Sequence, residues 1–302
     1  MEKFGDFHTH TVLCDGKNTA QEMVCAAIAR GLPVFGISGH MPITCYPNDW
    51  SMPQYKMSDY VSTLQRLRRT YEEQITLLIG LEADTHGYLS PFFELDDKQG
   101  APPLQSASET SNNGNIAAFA PFDYCIGSVH SVLHDGEYIE VDGDAQTVRH
   151  AIDTHFGGDG VAYACAYFEA CLQIAELPRC TFVGHFDVVT KFNERFPMID
   201  TTHHAYHAAA HDAMEVLAKK IGVMEINTGA ITRGWLSHPY PDLPLLRDWR
   251  QMGGEIILSS DAHGTDQIAA SFDTGAAWAR AAGFHQALTL DKDGFHPYSL
   301  EA

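Results

Sequence analysis

His8 and His10 stand one residue apart in His8-Thr9-His10, directly after the short apolar run that begins at Phe4. In an extended chain, residues i and i+2 point to the same side, so both imidazoles can face one cation. Such a pair alone is weak evidence, because most lone histidines are simply hydrogen-bonded. Seven further positions change the weight of it. Asp15 follows in the same loop, and His40 ends Gly36-Ile37-Ser38-Gly39-His40. Glu82 ends Gly80-Leu81-Glu82, His130 ends Gly127-Ser128-Val129-His130, and His185 follows Gly184. Asp261 and His263 close Ser259-Ser260-Asp261-Ala262-His263. Each is a nitrogen or oxygen donor at the carboxyl end of a strand candidate or in the loop after one. At about four to six ligands per ion, with Glu82 as a bridge and solvent completing the shells, this set suits two or three divalent cations.

The elements that must position these donors alternate along the chain. Strand candidates are Phe4–His8, Val34–Ser38, Thr76–Leu81, Tyr124–Val129, Thr181–Gly184, Val223–Asn227 and Glu255–Ser259, with Ala287–Leu290 weaker. Helix candidates lie between them. The first opens on the capping box Thr19-Ala20-Gln21-Glu22 and ends before Gly31. Others cover 59–73, 145–156, 161–174, 202–221, 243–252 and 266–282. Strand–helix alternation with seven or eight units predicts an α/β fold and favours a closed TIM-like barrel, whose strand ends meet at one mouth, over an open doubly wound sheet, although sequence alone does not report closure. The stretch 95–120 is rich in turn formers and reads as a long loop insertion in one domain spanning 1–302.

Composition narrows the function. The chain has 302 residues, with 19 Lys+Arg against 39 Asp+Glu, a formal charge of −20. That charge disfavours a nucleic-acid footprint, because phosphate backbones would be repelled over most of the surface. A small phosphorylated substrate stays compatible with it, since bound cations reverse the sign locally. No run approaches the roughly 18 apolar residues of a membrane span. Seven cysteines without paired close spacing fit reduced thiols, and the N-terminus has no apolar leader, so a cytoplasmic protein is expected. Neither Gly-x-Ser-x-Gly nor Gly-x-x-x-x-Gly-Lys-Ser/Thr occurs, which removes the main support for serine esterase and P-loop chemistry.

Taken in order, His8, His10, Asp15, His40, Glu82, His130, His185, Asp261 and His263 resemble the metal-ligand pattern of the polymerase-and-histidinol-phosphatase (PHP) family, in its histidinol-phosphatase branch. The match runs from about Phe4 to His263, and the segment Glu225 to Arg233 resembles the one preceding a phosphate-binding basic residue there. The resemblance implies a distorted (β/α)7 barrel with two to three divalent ions, zinc, iron or manganese. It assigns His8, His10, Glu82 and Asp261 to one ion, Glu82, His130 and His185 to a second, and Asp15, His40 and His263 to a third. Glu82, Asp261 and Arg233 become the candidate catalytic residues, with Arg233 and Lys191 as candidate phosphate-binding cations.

The activity so implied is hydrolysis of L-histidinol phosphate by a metal-activated hydroxide, in histidine biosynthesis. Asp187 or a bound water would protonate the leaving alkoxide. Two alternatives stay open at this point: a PHP-type phosphoesterase for another small ester, and a metal-stabilised scaffold without catalysis. The run His203, His207, His211 on one helix reads as an exposed or interface face. His86, near Glu82, could line the pocket and His134 could bind substrate near His130, although a lone loop histidine is usually just solvated.

Overall fold

Regular local signals account for most elements of the computed structural model, which describes residues 4–87 and 122–301. The first half contains β1 (Gly5–Asp6), α1 (Ala20–Ala29), β2 (Val34–Ile37), α2 (Met57–Thr70), β3 (Thr76–Asp84) and β4 (Tyr124–Ser128). The hairpin β5 (Ser131–His134) and β6 (Glu137–Glu140) follows, then α3 (Ala145–His155), α4 (Gly160–Cys171), β7 (Phe182–Val183) and α5 (His204–Lys220). The chain continues through β8 (Val223–Asn227), α6 (Gly229–Thr232), α7 (Leu243–Gln251) and β9 (Glu255–Ser259). It ends with α8 (Phe272–Ala282), β10 (Gln286–Asp291) and β11 (Gly294–Ser299). The expected insertion at 95–120 lies outside the described residues.

Caps set the helix ends. Thr19 and Glu22 form both halves of the capping box of α1. Asp144 and Asp159 accept from the first free amides of α3 and α4. His203 does the same for α5, accepting from the Ala205 amide, so that helix begins at His204. The helix expected over 266–282 begins only at Phe272. Ala269 and Ser271 take positive φ (52° and 61°), which a right-handed helix cannot contain.

Seven strands run parallel in the order β1-β2-β3-β4-β7-β8-β9, with the antiparallel pair β10-β11 added beyond β9. The sheet curls until its ends meet. Thr9 bridges Ala262 in parallel register, the His10 amide donating to the Ala262 carbonyl at 2.8 Å and the Ala262 amide to His8 at 3.1 Å. The TIM-like (β/α)7 curl expected above is thus present, joined at the carboxyl ends of its strands. The interior is apolar, packed with Phe7, Leu78, Tyr124, Ile126, Phe182 and Ile257. Gly36 and Gly80 make room for Tyr124, whose ring atoms would lie 2.2 Å from a Cβ at Gly80. In β3, Leu77, Ile79 and Leu81 pack outward under the helices, while Leu78 faces inward. The two-residue period therefore carries Glu82 to the inner face above Gly80.

Tyr60 ties α2 to this end of the sheet. Its hydroxyl accepts from the Gly39 amide at 3.0 Å and lies 2.9 and 2.8 Å from the Ile37 and Gly80 carbonyls. The strand ends that carry His40 and Glu82 are thereby locked side by side. Among the described residues no helix is long and apolar enough to cross a membrane.

Candidate metal centre

Strand ends and the loops after them deliver the nine donors to one place. His8 and His10 leave β1, His40 leaves β2 and bridges Glu82 in β3, His130 leaves β4, and His185 leaves β7. Asp261 and His263 leave β9, where Asp261 turns the chain with φ 51°. Asp15 reaches in from the loop after β1. Their donor atoms form four overlapping groups, each within 4.8 Å: His10, Asp15, His40, His263; His8, Glu82, His185; His8, His10, Asp261; and His40, Glu82, His130.

Glu82 stands at the centre. Its Oε2 lies 3.1 Å from His8 Nε2, 3.5 Å from His10 Nε2 and 2.9 Å from His40 Nδ1. Its Oε1 lies 3.2 Å from His130 Nε2 and 3.0 Å from His185 Nε2. The two oxygens thus face two different sets of imidazoles, the arrangement a bridging carboxylate needs. Asp261 Oδ1 sits 3.3 Å from His10 Nε2, and Asp15 Oδ2 sits 3.0 Å from His263 Nε2.

Divalent cations fit this donor set. Buried polar atoms in folded proteins nearly always have a partner. Yet His8 Nε2, His10 Nε2, Glu82 Oε2 and His185 Nδ1 are buried without a hydrogen bond among the described residues. The first three point at one another. Burial alone would push the Glu82 carboxyl up, but His8, His40 and His130 hold it well below the usual range. Burial pushes Asp261 up likewise, and Arg233 and His8 hold it well down. Both carboxylates are therefore ionised, as cation ligands must be.

Outer carboxylates orient the imidazoles, and two of them escaped the sequence reading. Glu225 Oε2 lies 2.9 Å from His8 Nδ1, and its Oε1 accepts from the His185 amide at 2.6 Å and from Asn227 Nδ2 at 2.7 Å. Ser259 also donates its hydroxyl to Glu225. Asp84 Oδ2 accepts from the His130 amide at 2.8 Å and lies 3.1 Å from His130 Nδ1. Asp84 repeats the two-residue period from Glu82, and Glu225 is a single charge inside the apolar strand Val223–Asn227. Those were the available signals. Glu225→Gln should weaken metal binding by about 10- to 100-fold, the usual cost of removing an outer carboxylate from a ligand histidine. Metal titration of the purified variant checks this.

The remaining candidates divide. Arg233 joins the nine: its Nη2 donates to Asp261 Oδ2 at 2.8 Å and its Nη1 to the Asp261 carbonyl at 2.8 Å. Lys191 is largely buried, its side chain 15 % exposed, and it is paired with Asp142. Its Nζ donates to the Asp142 carbonyl at 2.6 Å and lies 3.6 Å from that carboxylate. Asp187 accepts from the Asp242 amide at 2.9 Å and is fully buried, and burial pushes its carboxyl to about 7. Its Oδ1 is buried without a hydrogen bond among the described residues. His86 differs from expectation too. Its side chain is only 9 % exposed, with Nδ1 3.2 Å from the Ser131 hydroxyl and its ring 5.0 Å from Tyr138.

Comparison with known proteins bears on this geometry. A family model for the PHP domain matches residues 6–229. The chain is 23 % identical over 310 residues to a Schizosaccharomyces pombe protein named probable histidinol-phosphatase, covering 94 % of this chain and 88 % of that one. It is 21 % identical over 281 residues to the Bacillus subtilis histidinol-phosphatase, covering 89 % and 96 %. In fold it is similar to the Lactococcus lactis histidinol phosphate phosphatase, solved with zinc, L-histidinol and phosphate. That likeness has a TM-score of 0.70 at 21 % identity and covers 97 % of this chain and 99 % of that one.

Proposed function

Because the chain belongs to the PHP domain family, we propose that it is a metal-dependent phosphomonoesterase that hydrolyses L-histidinol phosphate to L-histidinol and phosphate. The observation that carries this reading is the position of Glu82, with one carboxylate oxygen toward His8, His10 and His40 and the other toward His130 and His185. Curated relatives that span nearly the whole chain and bear the histidinol-phosphatase name support the substrate.

We assign His8, His10, Glu82 and Asp261 to one divalent ion, Glu82, His130 and His185 to a second, and Asp15, His40 and His263 to a third, with zinc, iron or manganese as the metal. When bound, such ions neutralise the phosphoryl oxygens and lower the pKa of water. Hydrolysis forms one P–O bond to water and breaks the P–O bond to the alcohol. The chain's own contribution is electrostatic and geometric. Glu82 and Asp261 stay ionised and fix the ligand imidazoles. Arg233 stays charged, since Asp261 outweighs the burial that would lower it, and its side chain is 25 % exposed. It can therefore offer its guanidinium to a phosphate while holding Asp261. Residues 1–302 are read as one such domain. Seven free cysteines support a cytoplasmic setting.

Phosphate release from L-histidinol phosphate, measured beside the metal content of the same preparation, tests the proposal. Turnover with two to three ions per chain is expected. Much higher kcat/KM on another monoester would move the substrate assignment to that ester. Bound metal without release from any monoester would identify a scaffold.

A further inference from the structure

The hairpin that follows His130 was not foreseen from the strand pattern, and it builds one wall of the mouth. Asp135 and Gly136 form its turn, both with positive φ (49° and 84°). The Val141 amide donates to the His130 carbonyl at 3.0 Å, so the end of β6 is fixed to a candidate ligand. Glu140, the last residue of β6, accepts from the indole N–H of Trp50 at 2.7 Å. Trp50 in turn packs against two of the nine, with ring centroids 4.8 Å from His40 and 5.0 Å from His130. Gly143 leaves space for the second Glu140 oxygen, which would lie 3.0 Å from a Cβ placed there.

Charge separates Glu140 from its neighbour. Asp142 is compensated by Lys191 at 3.6 Å. Glu140 has no ion pair of that kind among the described residues, although it is held in one place by an indole and a backbone anchor. A fixed carboxylate beside a site for phosphate dianions repels them, unless the substrate carries a cation at its other end. Trp50 strengthens the case, since the indole face attracts cations better than any other aromatic ring.

We propose that Trp50 and Glu140 form the leaving-group subsite, taking the ammonium end of an amino-alcohol phosphate ester. The Glu140 charge then makes the enzyme prefer such esters over neutral ones. This rests on the phosphomonoesterase reading above, and it adds specificity-determining residues that the metal cluster does not supply.

The test compares kcat/KM for L-histidinol phosphate and for phenyl phosphate, whose alcohol is neutral, in metal-loaded wild type, Glu140→Gln and Trp50→Phe. Gln preserves the shape and the acceptor for Trp50 while removing the charge. The ratio of the two constants should fall about 10- to 100-fold in Glu140→Gln, the range for a hydrogen bond to a charged group. A smaller fall in the same direction is expected in Trp50→Phe, and that variant decides the matter if Glu140→Gln does not fold. A ratio within about twofold of wild type, at unchanged metal content, overturns the proposal. Should wild type hydrolyse neither ester, the phosphomonoesterase reading fails by itself. Binding of L-histidinol to the metal-loaded protein then decides the subsite: a Kd raised about tenfold or more by Glu140→Gln supports it, and an equal Kd or no binding overturns it.

Discussion

Glu82→Gln is expected to lower kcat/KM about 10³-fold, equivalent to about 4 kcal/mol of transition-state stabilisation, and to cost the protein at least one bound cation. The effect is large because Glu82 has no spare oxygen. Both are committed, one side to His8, His10 and His40 and the other to His130 and His185. Gln retains the volume but turns one of those oxygens into an amide nitrogen, which cannot bridge two cations. It also removes the negative charge among five imidazoles within 3.5 Å. Steady-state kinetics and elemental analysis of the variant measure both consequences. Full metal content with activity within tenfold of wild type would show that Glu82 does not bridge.

Removing the cations should abolish activity and also weaken the fold. Glu82, Asp261 and Glu225 are buried carboxylates in one small volume, with Asp15 at its edge. Any ion that binds only the folded chain stabilises it by mass action, by about 4 kcal/mol at a thousand times its Kd. For a chain of this size that corresponds to a fall in Tm of about 6 °C when a chelator strips the site. Activity and Tm should return together on adding back the resident metal. A chelated protein with unchanged Tm and full turnover would contradict the assignment.

Much of this arrangement could be read from residues alone because its carriers are local. An apolar run followed by a His, Asp or Glu marks a strand end, and a parallel barrel gathers such ends at one mouth. The nine side chains that the structure gathers, and the seven parallel strands that carry them, follow from that pattern. Features that depend on distant partners were not accessible in the same way. The hydrogen bond between His8 and Glu225 spans 217 residues, and closure through Thr9 and Ala262 likewise joins opposite ends of the chain. The late start of α8 follows from the positive φ of Ala269 and Ser271, residue types that give no warning of it. The β5–β6 hairpin had a legible turn signal in Asp135-Gly136, but its strands are too short and too mixed in character to show a clear alternation. Lys191 was expected as a phosphate-binding cation, yet it is paired with Asp142, a pairing no spacing rule contains.

Anomalous scattering from crystals of the purified protein, collected at the zinc, iron and manganese edges, would locate the cations held by the nine side chains. Two or three peaks are expected about 2.0–2.2 Å from donor atoms of the nine side chains, with Glu82 shared between two of them. No peak within that set, or metal bound only elsewhere on the molecule, would contradict that expectation.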